Sequence, residues 1–112
     1  MVRVNELLKR EISDLLHTRF QGRAVYITIT GVQVSSDLKT ARVYYSVLGT
    51  EEQRRASRHF FKTEGAEIRH QVGKRVVLKY LPALSFVYDD SIERGLRLNE
   101  LIDQLEQGNT AS

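Results

Sequence analysis

The chain has three histidines, His17, His59 and His70. No pair of them has the HxxxH or HxxE spacing that sets two metal ligands on one helix face. Cysteine is absent, which removes thiolate ligands, disulfides and thiol nucleophiles together. No serine stands in a nucleophile elbow, and no Ser, His, Asp set is implied by spacing. Asp89-Asp90 has the composition of a divalent-cation pair, but after a strand such a pair more often caps the following helix. Neither a Walker loop nor a GxGxxG is present. These residues support no enzyme, no metal and no cofactor. The bases do form a pattern. Residues 50–80 hold eight Lys and Arg against four Asp and Glu, whereas residues 81–112 hold two against six. With successive helical residues about 100° apart, Arg54, Arg55, Arg58 and Lys62 fall in an arc of about 100° nearly opposite Ala56 and Phe60. Such a stripe can bind a polyanion, although charge alone fits an ordinary solvated surface equally well.

The elements that position this stripe follow from the apolar spacing. Val4, Leu7, Leu8, Ile12, Leu15 and Leu16 recur at helical intervals and predict an amphipathic helix over about residues 3–19, with Gly22 ending the region. "VYITITGVQVSSDLKTARVYYSVLG" alternates and is rich in β-branched and aromatic residues, so it predicts two strands with a turn near Ser36-Asp37-Leu38-Lys39. Val25, Ile27 and Ile29 share one phase, and Val32 and Val34 the other. A bulge at Gly31 would return both sets to one buried face, opposite Ala41, Val43, Tyr45 and Val47 of the second strand.

Thr50-Glu51-Glu52-Gln53 spells a capping box. The helix it opens is expected to turn Ala56 and Phe60 inward, and beyond Gly65 the inward set becomes Ile68, Val72 and Val76. Because these two faces do not join as one straight stripe, a kink or short break is predicted at Glu64-Gly65-Ala66, with Gly65 at positive φ. The helix should end between Gly73 and Leu78. Leu84 to Tyr88 reads as a third strand and "DDSIERGLRLNELIDQLEQ" as a turn and a short helix, with Leu98, Leu101, Ile102 and Leu105 inward. Residues 107–112 read as a frayed tail.

The whole is one α+β domain over residues 1–106, a three-stranded sheet with helices on one face. Its element order is that of a type II KH domain, whose GxxG loop clamps a nucleic-acid backbone. The glycines stand at 22, 31, 49, 65, 73, 95 and 108, so no GxxG exists, and the predicted kink at Gly65 lies where that loop belongs. No apolar run approaches the roughly 18 residues of a membrane span. The acids Glu6, Glu11 and Asp14 near the start are those of neither a secretory signal nor a transit peptide, so the mature chain is expected to begin at or near Met1.

Three stretches carry a more specific likeness: "RVNELLKREISDLL", "ITGVQVSSDLKTARVYYSVLG" and "IRHQVGKRVVLKYLPALSFVYDDSIERGLRLNELI". In order and nearly end to end, they resemble the ribosome-binding factor A family of small-subunit maturation factors. The resemblance implies a KH-like fold in which an Ala-x-Gly kink replaces the GxxG loop; here those positions read Glu64-Gly65-Ala66. It also implies a non-catalytic cytoplasmic protein that binds 16S ribosomal RNA on free small (30S) subunits late in maturation and leaves before translation. It would act as a monomer without a cofactor, its partners extending to assembly GTPases. On that reading Arg58, Lys62, Arg69, Lys74, Arg75 and Lys79 contact phosphates, with Arg3 and Arg10 as weaker candidates. A general KH-type single-strand RNA-binding protein is the alternative, though the missing clamp argues against it. A third class is a protein-interaction domain using a strand edge.

Overall fold

The computed structural model describes residues 2–110. Helix α1, Val2–Arg19, carries Leu8, Ile12, Leu15 and Leu16 on one stripe, and all four are completely buried. Phe20 leaves the helical conformation, and a single further turn, α2 (Gln21–Ala24), brings the chain to the sheet. Gly22 lies inside that turn rather than ending the region.

Strand β1 (Ile27–Val34) pairs antiparallel with β2 (Thr40–Val47), and β2 pairs parallel with β3 (Ala83–Tyr88), in the order β1-β2-β3. The register steps from Ile29↔Tyr45 to Gly31↔Tyr44. This is the predicted bulge, and it places Ile27, Ile29, Val32 and Val34 together in the core. Val25, expected to join them, precedes the strand and is exposed. Ala41, Val43, Tyr45 and Val47 face the same core as predicted. The opposite sheet face, with Thr28, Gln33 and Arg42, lies open to solvent.

Helix α3 (Glu51–Arg75) begins with the capping box: the Gln53 amide donates to Thr50 Oγ1 at 3.3 Å, and the Thr50 amide donates to Gln53 Oε1 at 2.7 Å. Gly49 precedes it at φ +145°, where a Cβ would stand 1.5 Å from Gln53 Oε1. Glycine is required there by the dihedral, and an added Cβ would also push the Gln53 carboxamide out of the capping box.

Two expectations for this helix are overturned. Its inner stripe is Ser57, Phe60, Phe61, Ile68 and Val72, and Ala56 is exposed. Ser57 passes for a surface residue in the sequence, yet it is buried with its hydroxyl bonded to the Gln53 carbonyl at 2.9 Å. Once Ser57 and Phe61 replace Ala56, positions 57, 61, 65, 68 and 72 form a single stripe at helical spacing. No change of face occurs. Accordingly α3 runs from Glu51 to Arg75 without interruption, one helix where a kinked pair was predicted, and Gly65 does not have positive φ. Gly65 instead lies on the packed face, where its Cβ position is 3.6 Å from the Phe86 ring. Phe86 in turn stacks on Phe61, with centroids 4.3 Å apart.

Helix α4 (Ser91–Thr110) leaves the end of β3. Ser91 N–H donates to Asp89 Oδ1 at 2.9 Å and Asp90 accepts the first helical bond from the Arg94 amide, so the pair does open the helix. Backbone and Thr30 hydroxyl donors to its carboxylate hold Asp89 below the ordinary aspartate pKa. Leu98, Leu101 and Leu105 were expected inward but are 57%, 57% and 69% exposed, and Ile102 is exposed too. The sheet's apolar face is already closed by α1 and α3, which leaves α4 no core to join. Its projection makes the molecule 62 Å long, with a radius of gyration of 17.6 Å, against about 13 Å for a compact domain of this size. The helix extends to Thr110, and residues 111–112 lie outside the described residues.

Candidate nucleic-acid interface

The bases expected to contact phosphate divide into a free pair, an engaged pair and a dispersed remainder. Arg58 and Lys62 lie one turn apart on α3, exposed, beside a shallow hollow of about 240 Å³ floored by Tyr45, Phe61 and Phe86. Burial pushes the Tyr45 hydroxyl above its usual pKa, and the Arg58 charge pulls it partly back. Neither Arg58 nor Lys62 has an ion-pair partner among the described residues. Arg55, which belongs to the sequence stripe but not to the expected contact set, shares this ridge and is likewise exposed and unpaired among the described residues. On the helical wheel Arg55, Arg58 and Lys62 occupy an arc of about 60°. Their charges face solvent, and aromatic surface lies beside them.

The second group is engaged within the fold. Arg69 donates from Nε to the Pro82 carbonyl at 3.0 Å and from Nη2 to the Leu81 carbonyl at 2.7 Å, tying α3 to the linker before β3. Arg75 pairs with Asp14, lies 3.7 Å from Glu11 and reaches the Thr18 hydroxyl, so it pins the end of α3 onto α1. Arg54, in the sequence stripe, lies between Glu51 and Glu93 with its guanidinium 5.6 Å from the Tyr88 ring centroid. Tyr88 donates to Glu93 Oε1, which lowers the pKa of the glutamate and raises that of the tyrosine. This cluster sets where α4 starts.

The remaining bases are dispersed. Lys74 is exposed near the end of α3, and Lys79 is exposed in the linker, its ammonium 5.6 Å from the Tyr80 ring. Arg3 and Arg10 are exposed on α1, and Arg10 is 3.9 Å from Glu11. Glu64 does not confront the basic ridge, because it pairs with Arg23 at 2.7 Å while that guanidinium covers Phe60. Among the described residues no cluster of His, Asp and Glu is arranged to hold a metal ion. Among them, too, no helix is long and apolar enough to cross a membrane.

The sequence profile of the family described as ribosome-binding factor A matches residues 1–102. The chain belongs to the ribosome-binding factor A family. A relative of that name from Opitutus terrae is 40% identical over 106 residues, covering 95% of this chain and 87% of its own. The crystal structure of ribosome-binding factor A from Thermus thermophilus superposes with a TM-score of 0.65 at 24% identity, over 78% of this chain and 93% of that one. A homology model of the Thermus thermophilus factor, fitted into the cryo-electron-microscopy map of a complex with 30S, superposes with a TM-score of 0.62 at 21% identity, over 75% of this chain and 89% of that one. The fold is the KH-like α+β fold of these ribosome-binding factor A structures, with α3 unbroken where the KH clamp would interrupt it.

Proposed function

We propose that the protein binds 16S ribosomal RNA in the assembling small subunit, supports its late maturation and leaves before translation. The ridge of Arg55, Arg58 and Lys62, without ion-pair partners among the described residues, carries this reading. Unpaired bases on one rigid helix present a fixed array of cations to phosphates, which gives affinity and orientation without base choice. Specificity then comes from the shape of the folded subunit, and the protein acts by binding one RNA conformation more tightly than its alternatives. The Thermus thermophilus factor, fitted to a 30S complex, supports the same partner. Lys74 and Lys79 extend the contact toward the linker, while Arg3 and Arg10 stand on the neighbouring helix. The protein works in the cytoplasm as a monomer, without catalysis or cofactor, alongside assembly GTPases.

Sedimentation of cell extracts tests this directly. The protein is expected with free small subunits, most of all with immature ones. Enrichment on translating ribosomes would favour the general RNA-binding alternative instead.

A further inference from the structure

We propose that a second surface, the groove between the start of α1, the β1–β2 turn and the linker before β3, takes unstacked bases of a single-stranded RNA segment, with Lys39 and Lys79 on its phosphates. The inference rests on the RNA reading above and extends it from the α3 ridge to a different face. The groove has a volume of about 630 Å³ and is walled by Val4, Val34, Leu78, Leu81 and Pro82, within the usual range for small-molecule pockets. Its floor is held in place, because the two hydrogen bonds from Arg69 fix the carbonyls of Leu81 and Pro82.

Two side chains at its rim are poorly explained by folding alone. Leu38 follows a turn closed by its own amide on the Ser35 carbonyl and stands at φ +63°. Glycine or asparagine occupies that left-handed region with less strain. A leucine there is strained, and its side chain is still 47% exposed beside the groove. Tyr80 is 73% exposed at the same rim. An exposed aromatic ring is the surface on which an unstacked base stacks, whatever its identity.

Charge selects RNA over an apolar peptide. Lys39 and Lys79 both line the groove, and the Lys79 ammonium lies over one face of the Tyr80 ring, 5.6 Å from its centroid, so a base would stack on the other face. The one acid, Asp37, is turned into its own loop: it accepts from the Ser35 hydroxyl at 2.6 Å and the Lys39 amide at 3.0 Å. Those two donors hold its pKa below the ordinary value. A duplex keeps its bases paired and stacked, so the groove should discriminate against it.

The experiment uses the full chain, a labelled single-stranded hexa-adenylate and a blunt RNA duplex of the same length. The single strand should bind more tightly than the duplex and shift the amide resonances of Leu38, Lys79, Tyr80 and Leu81. Tyr80→Ala should weaken its binding roughly five- to a hundredfold, the range for removal of one base stack. Leu38→Asn relieves the strained turn, so it should be at least as stable to urea as the parent and yet bind the oligonucleotide more weakly. Absence of oligonucleotide binding, shifts confined to the Arg58–Lys62 ridge, or parental affinity in Tyr80→Ala would each overturn the proposal. So would a Tyr80→Ala protein that loses small-subunit binding while keeping the oligonucleotide, which would make the groove a protein contact. Failure of the maturation reading has a different signature, a parent protein that does not sediment with small subunits.

Discussion

The two halves of α3 carry similar bases and use them differently. In the first half Arg55, Arg58 and Lys62 face solvent without ion-pair partners among the described residues, and Arg54 alone is held, by Glu51 and Glu93; in the second, Arg69 and Arg75 are bonded into the fold and Lys74 alone stays exposed. The cause is what each half lies against. The second half meets the α3–β3 linker and the acidic edge of α1, which supply carbonyls and carboxylates. The ridge of the first half borders the rings of Tyr45, Phe61 and Phe86, which offer its charges no carboxylate. A count of positive residues therefore overstates the charge available to a ligand, and the free charge is concentrated before Gly65.

The sharpest way to break this contrast is to reverse the free half. Arg58→Glu with Lys62→Glu should weaken small-subunit binding roughly tenfold or more. Its salt dependence should also flatten, by about 0.7 to 0.9 in slope for each phosphate no longer neutralised. The urea unfolding midpoint should stay near that of the parent. Parental affinity at fixed salt would move the interface off this ridge.

Arg69→Ala addresses the bonded half. It removes two charge-assisted hydrogen bonds from carbonyls of the linker and should cost about 1–3 kcal/mol in urea unfolding. Neutralising Arg69, Lys74 and Arg75 together would therefore unsettle the fold as well as the surface, because two of the three are structural. If Arg69→Ala weakened subunit binding at unchanged stability, the division between the halves would be wrong.

The glycine between the halves sharpens the comparison. A Cβ at Gly65 meets Phe86 at 3.6 Å, an ordinary van der Waals separation, and the residue is helical. Gly65→Ala should therefore stabilise the protein by about 1 kcal/mol through helix propensity, with subunit binding unchanged. A destabilised Gly65→Ala would show that the close approach of Phe86 to the helix tolerates no added methyl group.

Helix α4 gives the smallest expected effect. Leu101 is exposed on a helix that packs against no core, so Leu101→Lys should change stability by less than about 0.5 kcal/mol. A loss of several times that would mean the apolar side of α4 is covered in solution.

What can be read along the chain is what depends on near neighbours. The capping box lies within four residues, the strands announce themselves by alternation, and the change of phase around Gly31 locates a bulge from one strand alone. Helical spacing finds the buried stripe of α1 for the same reason. Ser57 escapes such a reading because burial of a serine depends on a hydrogen bond that composition does not display, and with Ser57 and Phe61 left out of the stripe one continuous face looks like two. The leucines of α4 carry a proper amphipathic pattern, but a pattern says only that a face is apolar. Whether another element covers it is decided by the direction in which the chain leaves β3.

The charges divide along the same line. From its sequence the protein is legible as a basic α+β domain of the ribosome-binding factor A kind, because order of elements, charge asymmetry and the three matching stretches are properties of the chain itself. Which bases remain free for a partner is a tertiary matter. Arg75 meets Asp14 across 61 positions, Arg23 meets Glu64 across 41, and Arg69 meets carbonyls 12 and 13 residues away. An ion pair or hydrogen bond acts over a few ångströms of space and takes no account of separation along the chain, so only the folded arrangement determines which charges are already partnered.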